Sequence, residues 1–232
     1  MSNLNKYLII AAGGDSRRMG NHTPKQYLII NGKPLIVWTL EVFKPFIELR
    51  NIVIVISKDH TDYWNNITKY YPEFSHCKIT YGGPKRFHSI KSAIKFIPDN
   101  TFVAVHDAAR PLVSYKTIEN CFELAIKKGN GVPVINFTES VRQKSGNMNS
   151  PIDRDKLKIV QTPQVFSTNI FKSAYEQVYS EGFTDDASVI EKTGHNIYLT
   201  EGNPENIKIT TAIDLKLASL ILPSSSPSID ME

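Results

Sequence analysis

Runs of apolar residues alternate along this chain with stretches of helical period. Tyr7-Leu8-Ile9-Ile10-Ala11 is a continuous apolar run of strand length, the pattern of a strand buried on both faces, and it ends in a glycine-bearing loop. From Pro34 to Phe43 the residues Leu35, Trp38 and Val42 recur on one helical face, with the proline suited to the first turn. Ile52-Val53-Ile54-Val55-Ile56 is the clearest strand. Thr61 to Tyr71 reads as a helix stopped by Pro72, because proline disfavours helical backbone in the residue before it. Lys78 to Tyr81 is a short strand leading to Gly82-Gly83, and Ser89 to Ile97 is a helix ending before Pro98. Phe102 to Val105 is a buried strand, Tyr115 to Lys128 a helix with Gly129 suited to its C-cap, and Gly131 to Ile135 a further strand.

This alternation predicts an α/β fold with a single Rossmann-like, mostly parallel sheet and helices on both faces. The rhythm breaks between Thr138 and Val160. There the turn-rich Lys144-Ser145-Gly146-Asn147 lies between two mixed segments, which predicts a protruding β-hairpin arm; an irregular surface loop is the alternative. Helices follow at Thr168 to Tyr179 and Asp186 to Thr193, then a strand at Asn196 to Thr200 and a last helix from Ala212 to Ile221. The organisation expected is one domain over residues 1–222, with an arm at about 138–160. Residues 223–232, headed by Pro223-Ser224-Ser225-Ser226-Pro227-Ser228, read as a disordered tail.

Composition narrows the class only modestly. The 232 residues suffice for one α/β domain, and 41% hydrophobic with 22% charged residues is the balance of a folded protein rather than a disordered one. A formal net charge of +4 is too small to argue for nucleic acid and suits small anionic ligands as well, so the placement of the cations decides. Cys77 and Cys121 lie far apart without metal-ligand spacing and read as reduced core thiols. The first apolar run is too short for an export signal or a membrane span, so the cytoplasm is the expected location.

The first strand runs directly into Ala11-Ala12-Gly13-Gly14-Asp15-Ser16-Arg17-Arg18-Met19-Gly20. Ligands of open parallel sheets bind beyond the carboxyl ends of strands, small residues let main-chain N–H groups approach a phosphate chain, and arginines neutralise it. The spacings of a dinucleotide fingerprint or a Walker loop are absent. Pro24-Lys25-Gln26-Tyr27 follows, offering Lys25 as a charge at a reacting phosphorus. On these residues alone a reading as solvated surface cations stays open. Val105-His106-Asp107-Ala108-Ala109-Arg110-Pro111 closes a strand, and Asp107 there is a candidate ligand for Mg2+ bridging phosphates; a lone Asp at such a place is otherwise a cap or loop residue. His106 reads as structural.

The loop at Ala12 to Gly20 together with Pro24-Lys25-Gln26-Tyr27 resembles the signature of the sugar-phosphate cytidylyltransferases. Within that family the chain resembles the methylerythritol-phosphate enzymes more than the ribitol-phosphate ones. The resemblance runs nearly without gaps to Leu222 through Gly82 to Ser89, Glu139 to Arg142, Ile152 to Arg154, Gln161 to Phe166, Thr184 to Ser188 and Glu201 to Thr210. It implies a nucleotide-diphospho-sugar transferase type of fold. It also implies CTP and a polyol phosphate as ligands, Mg2+ or another divalent cation, and a homodimer formed through the arm, with neither nucleic acid nor membrane as partner. Arg18, Lys25 and Lys208 would be catalytic. Ala11, Ala12, Gly13, Gly14, Ser16, Gly83, Ser89 and Ala108 would bind the nucleotide. Asp107, Arg110, Thr162, Thr184 and Lys208 would meet the acceptor, with Ser140 and Arg154 arriving from the neighbouring subunit. This chain departs from the pattern at Ser16 (usually glycine), Pro84 (often acidic) and Ser140 (usually threonine).

The implied reaction is displacement at phosphorus, with an acceptor phosphate attacking the α-phosphate of CTP and pyrophosphate leaving. That acceptor is already ionised near neutral pH, so a cation-rich site without a Ser, Cys or His nucleophile is what the chemistry needs. Two readings compete with it: a ribitol-5-phosphate cytidylyltransferase, and a non-catalytic nucleotide-binding protein of the same fold.

Overall fold

A computed structural model describes residues 5–14 and 23–224. In chain order the first strand β1 (Lys6–Ala12) is followed by a small antiparallel pair, β2 (Ile29–Ile30) and β3 (Lys33–Pro34), and then by α1 (Leu35–Phe43). Next come β4 (Ile52–Ile56), α2 (Thr61–Tyr70), β5 (Lys78–Tyr81), α3 (Arg86–Ala93), β6 (Phe102–Asp107), α4 (Tyr115–Lys128) and β7 (Asn130–Asn136). The second half contains β8 (Val141–Ser145), β9 (Met148–Ile152), β10 (Lys158–Val160) and β11 (Gln164–Ser167). It ends with α5 (Thr168–Ala174), α6 (Asp186–Glu191), β12 (Leu199–Glu201) and α7 (Ala212–Ile221).

The main sheet has eight strands in the order β10-β7-β11-β6-β1-β4-β5, with β12 also on β7. β1 lies between β4 and β6, parallel to both; β4 and β5 are parallel, as are β7 and β12. β11 runs antiparallel to β6 and β7, and β10 antiparallel to β7. The unbroken apolar runs of β1 and β4 follow from burial on both faces. Leu8, Ile10, Ile52, Ile54 and Ile56 pack into one cluster with residues of α1, α2 and α4. Tyr7, Ile9, Val53 and Val55 face the other way, toward α3, α5 and α6. A third cluster seats α7: Ala218 and Leu222 pack with Ile30, Leu35, Trp38, Ala109 and Ile209.

The periodic elements match the expectation closely, and the differences have local causes. α3 starts at Arg86, three residues before the expected Ser89, and β6 continues through His106 to Asp107. α5 stops at Ala174, well short of Tyr179, and the last strand begins at Leu199 rather than Asn196. β10 and β11 are unforeseen: they are short, and Pro163, with a cis peptide bond before it, stands between them. The expected hairpin is β8 and β9, paired antiparallel from Val141–Ile152 to Ser145–Met148 around Gly146, whose φ is +58°. Apart from Val141 and Ile152 at its base, the hairpin strands are exposed. Of the residues expected to form a disordered tail, 225–232 lie outside the described residues. Among the described residues no helix is long and apolar enough to cross a membrane.

Behind the end of β6 lies a polar chain centred on the buried His106. The Asp107 N–H donates to Thr162 Oγ1 at 3.1 Å, the Thr162 hydroxyl faces His106 Nδ1 at 3.0 Å, and His106 Nε2 lies 2.9 Å from the Arg110 carbonyl. That carbonyl only accepts, so Nε2 carries the proton and Nδ1 takes the threonine's; the ring is neutral. His106 has no exposure, and burial lowers its pKa from the usual 6.5 to about 4. The unfolded chain therefore binds a proton that the folded chain refuses between those two values, and stability rises with pH across that window. Lowering the pH from about 7 to about 4 should cost roughly 3 kcal/mol through this ring alone. Urea unfolding of wild type and His106→Gln across that range measures it, with a flatter pH dependence in the variant.

Candidate active site

Parallel pairing brings the loops after β1, β4, β5 and β6 to one edge of the sheet, where Ala11 stands opposite Asp107. A cavity of about 560 Å³ opens there, within the range of small-molecule sites. Ala11, Gly13 and Gly14 line it from the first loop, and Lys25 and Gln26 from the turn that follows. Ser57 and Asp59 come from beyond β4, Gly82 to Arg86 with Ser89 from beyond β5, Asp107 to Ala109 from beyond β6, and Lys208 from the segment before α7.

Local hydrogen bonds hold these loops in place. Ala108 donates its N–H to the Ala11 carbonyl at 3.1 Å, closing the β1 and β6 ends together. Buried Gln26 donates to the Ala12 carbonyl at 2.7 Å, so the turn carrying Lys25 is fastened to the first loop. Gly82 N–H reaches the Ile56 carbonyl at 2.8 Å, and Gly83 N–H reaches Ser89 Oγ at 3.1 Å. A Cβ on Gly83 would lie 2.5 Å from that of His88, so only glycine lets the loop fold this tightly over the start of α3. Lys208 is positioned by its neighbour, since Ile209 donates to the Ala109 carbonyl at 2.9 Å.

Three cations surround Asp107. Lys208 Nζ is 2.9 Å and Arg110 Nε 3.4 Å from Oδ2, while Arg86 Nη2 is 3.7 Å from Oδ1. Burial alone would raise this carboxyl, but Arg86, Lys208 and Arg110 outweigh it and hold the group well below the ordinary carboxylate range. Asp107 is thus an anion near neutral pH. Arg86 is fixed from behind. Its Nη2 is 2.7 Å from Oδ2 of the fully buried Asp186, whose Oδ1 accepts the Tyr175 hydroxyl at 2.6 Å. Arg110 is fixed by Nη1 donating to the Asn206 carbonyl at 2.8 Å.

Of the residues singled out in the sequence, Ala11, Gly13, Gly14, Lys25, Gly83, Ser89, Asp107, Ala108 and Lys208 share this one cavity. Ala12 is buried just behind it, and Arg110 stands beside Asp107. Thr162, expected to face the acceptor, is instead buried, with its hydroxyl taken up by Asp107 N–H and His106. Thr184 borders a shallow depression next to Arg86, Phe87 and Asp185. Ser140 and Arg154 flank the hairpin, exposed, with Arg154 Nη1 donating to the Thr138 carbonyl at 2.9 Å; neither lines the cavity of its own chain. Arg18 and Ser16 lie outside the described residues. Sequence reading passed over Arg86, Gln26, Asp59 and Lys85. Arg86 and Lys85 sit inside a run already marked as a ligand loop, so the loop was visible while the role of each side chain was not.

Comparison with known proteins places this geometry in a family. The family profile described as 2-C-methyl-D-erythritol 4-phosphate cytidylyltransferase (IspD) matches residues 7–224. The protein of that name from Porphyromonas gingivalis is 43% identical over 220 residues, 94% of this chain and 98% of the relative. The crystal structure of the Francisella tularensis 2-C-methyl-D-erythritol 4-phosphate cytidylyltransferase superposes with a TM-score of 0.76 at 33% identity, covering 94% of this chain and 100% of the other. The bifunctional IspDF from Campylobacter jejuni gives a TM-score of 0.76 at 29% identity, covering 92% of this chain and 54% of that longer one. From its profile, its relatives and its fold, the chain belongs to the 2-C-methyl-D-erythritol 4-phosphate cytidylyltransferase family.

Proposed function

We propose that the cavity binds CTP and that the chain transfers its cytidylyl group to 2-C-methyl-D-erythritol 4-phosphate, giving 4-diphosphocytidyl-2-C-methyl-D-erythritol and pyrophosphate. The observation that carries this reading is the convergence of Lys25, Arg86, Asp107 and Lys208, from loops distant along the chain, on one cavity. The matched family and its relatives favour this acceptor over ribitol 5-phosphate.

The main difficulty of the reaction is bringing two polyanions together. Two unit charges about 4 Å apart repel by roughly 4 kcal/mol at the effective dielectric of a protein surface. Lys25 and Lys208 offset that repulsion where charge builds on the α-phosphate, and Arg18 extends the set as the sequence motif implies. The backbone of Ala11 to Gly14 and Ser16 cradles the phosphates, while Gly83, Ser89 and Ala108 take the nucleoside side. Asp107, Arg110, Lys208 and Thr184 meet the acceptor, with Thr162 acting through the backbone of Asp107. The donor set fits Mg2+: Asp107 is ionised near neutral pH, and its Oδ1 keeps its nearest cation, Arg86, at 3.7 Å. One carboxylate is what Mg2+ commonly takes when phosphates and water complete its shell. When bound, the ion would be held by Asp107 and would supply positive charge that neutralises the triphosphate.

A bare two-stranded hairpin is marginally stable in water, and the strands here are exposed nearly throughout. This supports a homodimer in which the arm of one copy carries Ser140 and Arg154 to the acceptor site of the other. The two buried free thiols suit the reducing cytoplasm.

Pyrophosphate release from CTP, with and without Mg2+ and with each acceptor, tests the reading. Turnover should need methylerythritol phosphate, and turnover with ribitol phosphate alone would overturn the substrate. Lys25→Ala should fold normally and lose about a hundred- to a thousandfold in rate. Inactive Lys25→Ala and Arg154→Ala variants, mixed and allowed to exchange subunits, should regain about a quarter of wild-type activity. Half of the random dimers are mixed, and each mixed dimer holds one intact site. No recovery despite exchange would contradict the shared site.

A further inference from the structure

We infer that Arg86 is a positioning residue, anchored on Asp186, that holds the Asp107 carboxylate in place when Lys208 leaves it for a substrate phosphate; the inference rests on the reaction proposed above. The three cations around Asp107 are tethered very differently. Lys208 reaches Oδ2 at 2.9 Å, but its side chain is 43% exposed and ends a flexible stem. Arg86 sits against a carboxylate with no exposure, and Arg110 is held by the Asn206 carbonyl. An arriving phosphate dianion carries more charge than Asp107 and draws the one mobile ammonium toward itself. Asp107 then keeps Arg110 on Oδ2 at 3.4 Å and Arg86 on Oδ1 at 3.7 Å. Because these two act on different oxygens, Arg86 is what stops the carboxylate from rotating toward Arg110 once the lysine has gone.

Asp186 supports the same assignment. A buried ion pair is seldom better for stability than an apolar pair of equal size, so a fully buried aspartate needs another reason to be there. Its oxygens meet the Tyr175 hydroxyl at 2.6 Å and Arg86 at 2.7 Å, so its charge is spent on aiming the guanidinium. Arg86 also borders both the main cavity and the depression lined by Thr184 and Asp185. It therefore ties the loop before α3 to the turn before α6, two segments that must keep register for two substrates to align.

Steady-state kinetics and thermal unfolding of four variants test the assignment. Arg86→Gln should lower kcat at least about tenfold while changing the KM for CTP by less than about threefold, the mark of an interaction felt in the transition state. Arg86→Lys should fall between Gln and wild type, keeping the charge without the planar fork. Asp186→Asn should lose less than Arg86→Gln. Arg86→Gln leaves a buried carboxylate without its cation and should melt early, so the double variant Arg86→Met with Asp186→Leu is decisive. It should recover most of the stability lost by Arg86→Gln, short only of the Tyr175 hydroxyl left without its acceptor, and keep the loss of kcat. Recovery of both stability and kcat in the double variant would reduce Arg86 to a structural residue, and a raised KM for CTP with unchanged kcat would make it an ordinary binding contact. Either overturns the inference while wild type still turns over; an inert wild type overturns the underlying reaction and this inference with it.

Discussion

A buried carboxylate beside three cations is the constraint from which the site is built. Asp107 is 7% exposed, and burial by itself would neutralise it. Only the approach of Arg86, Arg110 and Lys208 keeps it charged, and each comes from a different stretch of chain. The parallel pairing of β1 with β6 sets Asp107 opposite Ala11, so the same register that closes the core places the anion beside the loop that follows β1. Held on this aspartate, Lys208 is already oriented, and little reorganisation is left when it exchanges Asp107 for a phosphate while Arg86 and Arg110 stay in place.

The layers behind the site keep that arrangement rigid. The neutral His106 and the inward hydroxyl of Thr162 occupy the back of β6, where water would otherwise have to satisfy the backbone of Asp107. The antiparallel β11 beside β6 makes this possible, because it brings Thr162 within reach of a strand that precedes it by more than fifty residues. Asn206 completes the wall: its Nδ2 donates to the Thr162 carbonyl at 2.8 Å and its own carbonyl receives Arg110. The hairpin has no such backing, and apart from Val141 and Ile152 its strands are exposed.

Much of this was legible in the sequence, and what was not has a physical reason. Apolar runs report burial, so β1, β4, β6, α1, α2 and α4 were readable from period alone. Asp107 was readable because it stands at a strand end where a ligand crevice opens, Lys25 because it follows a proline close to the first loop, and Lys208 only through the family resemblance. Arg86 was not, because its meaning lies in Asp186, a hundred residues away, and no local pattern encodes that pairing. Thr162 shows the converse: its motif was noticed, but the turn of its hydroxyl toward Asp107 N–H and His106 is set by strand pairing, and β11 was hidden by glutamines and a proline. The start of α3 was placed late for a similar reason, since Arg86, Phe87 and His88 look like loop until Phe87 is seen packed beneath the sheet.

Asp107 thus holds the Lys208 ammonium ready for the phosphate it meets in the reaction. Asp107→Asn tests it most directly, with CTP binding measured at equilibrium in the absence of divalent ions alongside turnover in their presence. The stored positive charge is then released without its counter-charge, so CTP should bind several-fold more tightly while turnover falls by about a hundredfold. Weaker CTP binding together with undiminished turnover would contradict the account.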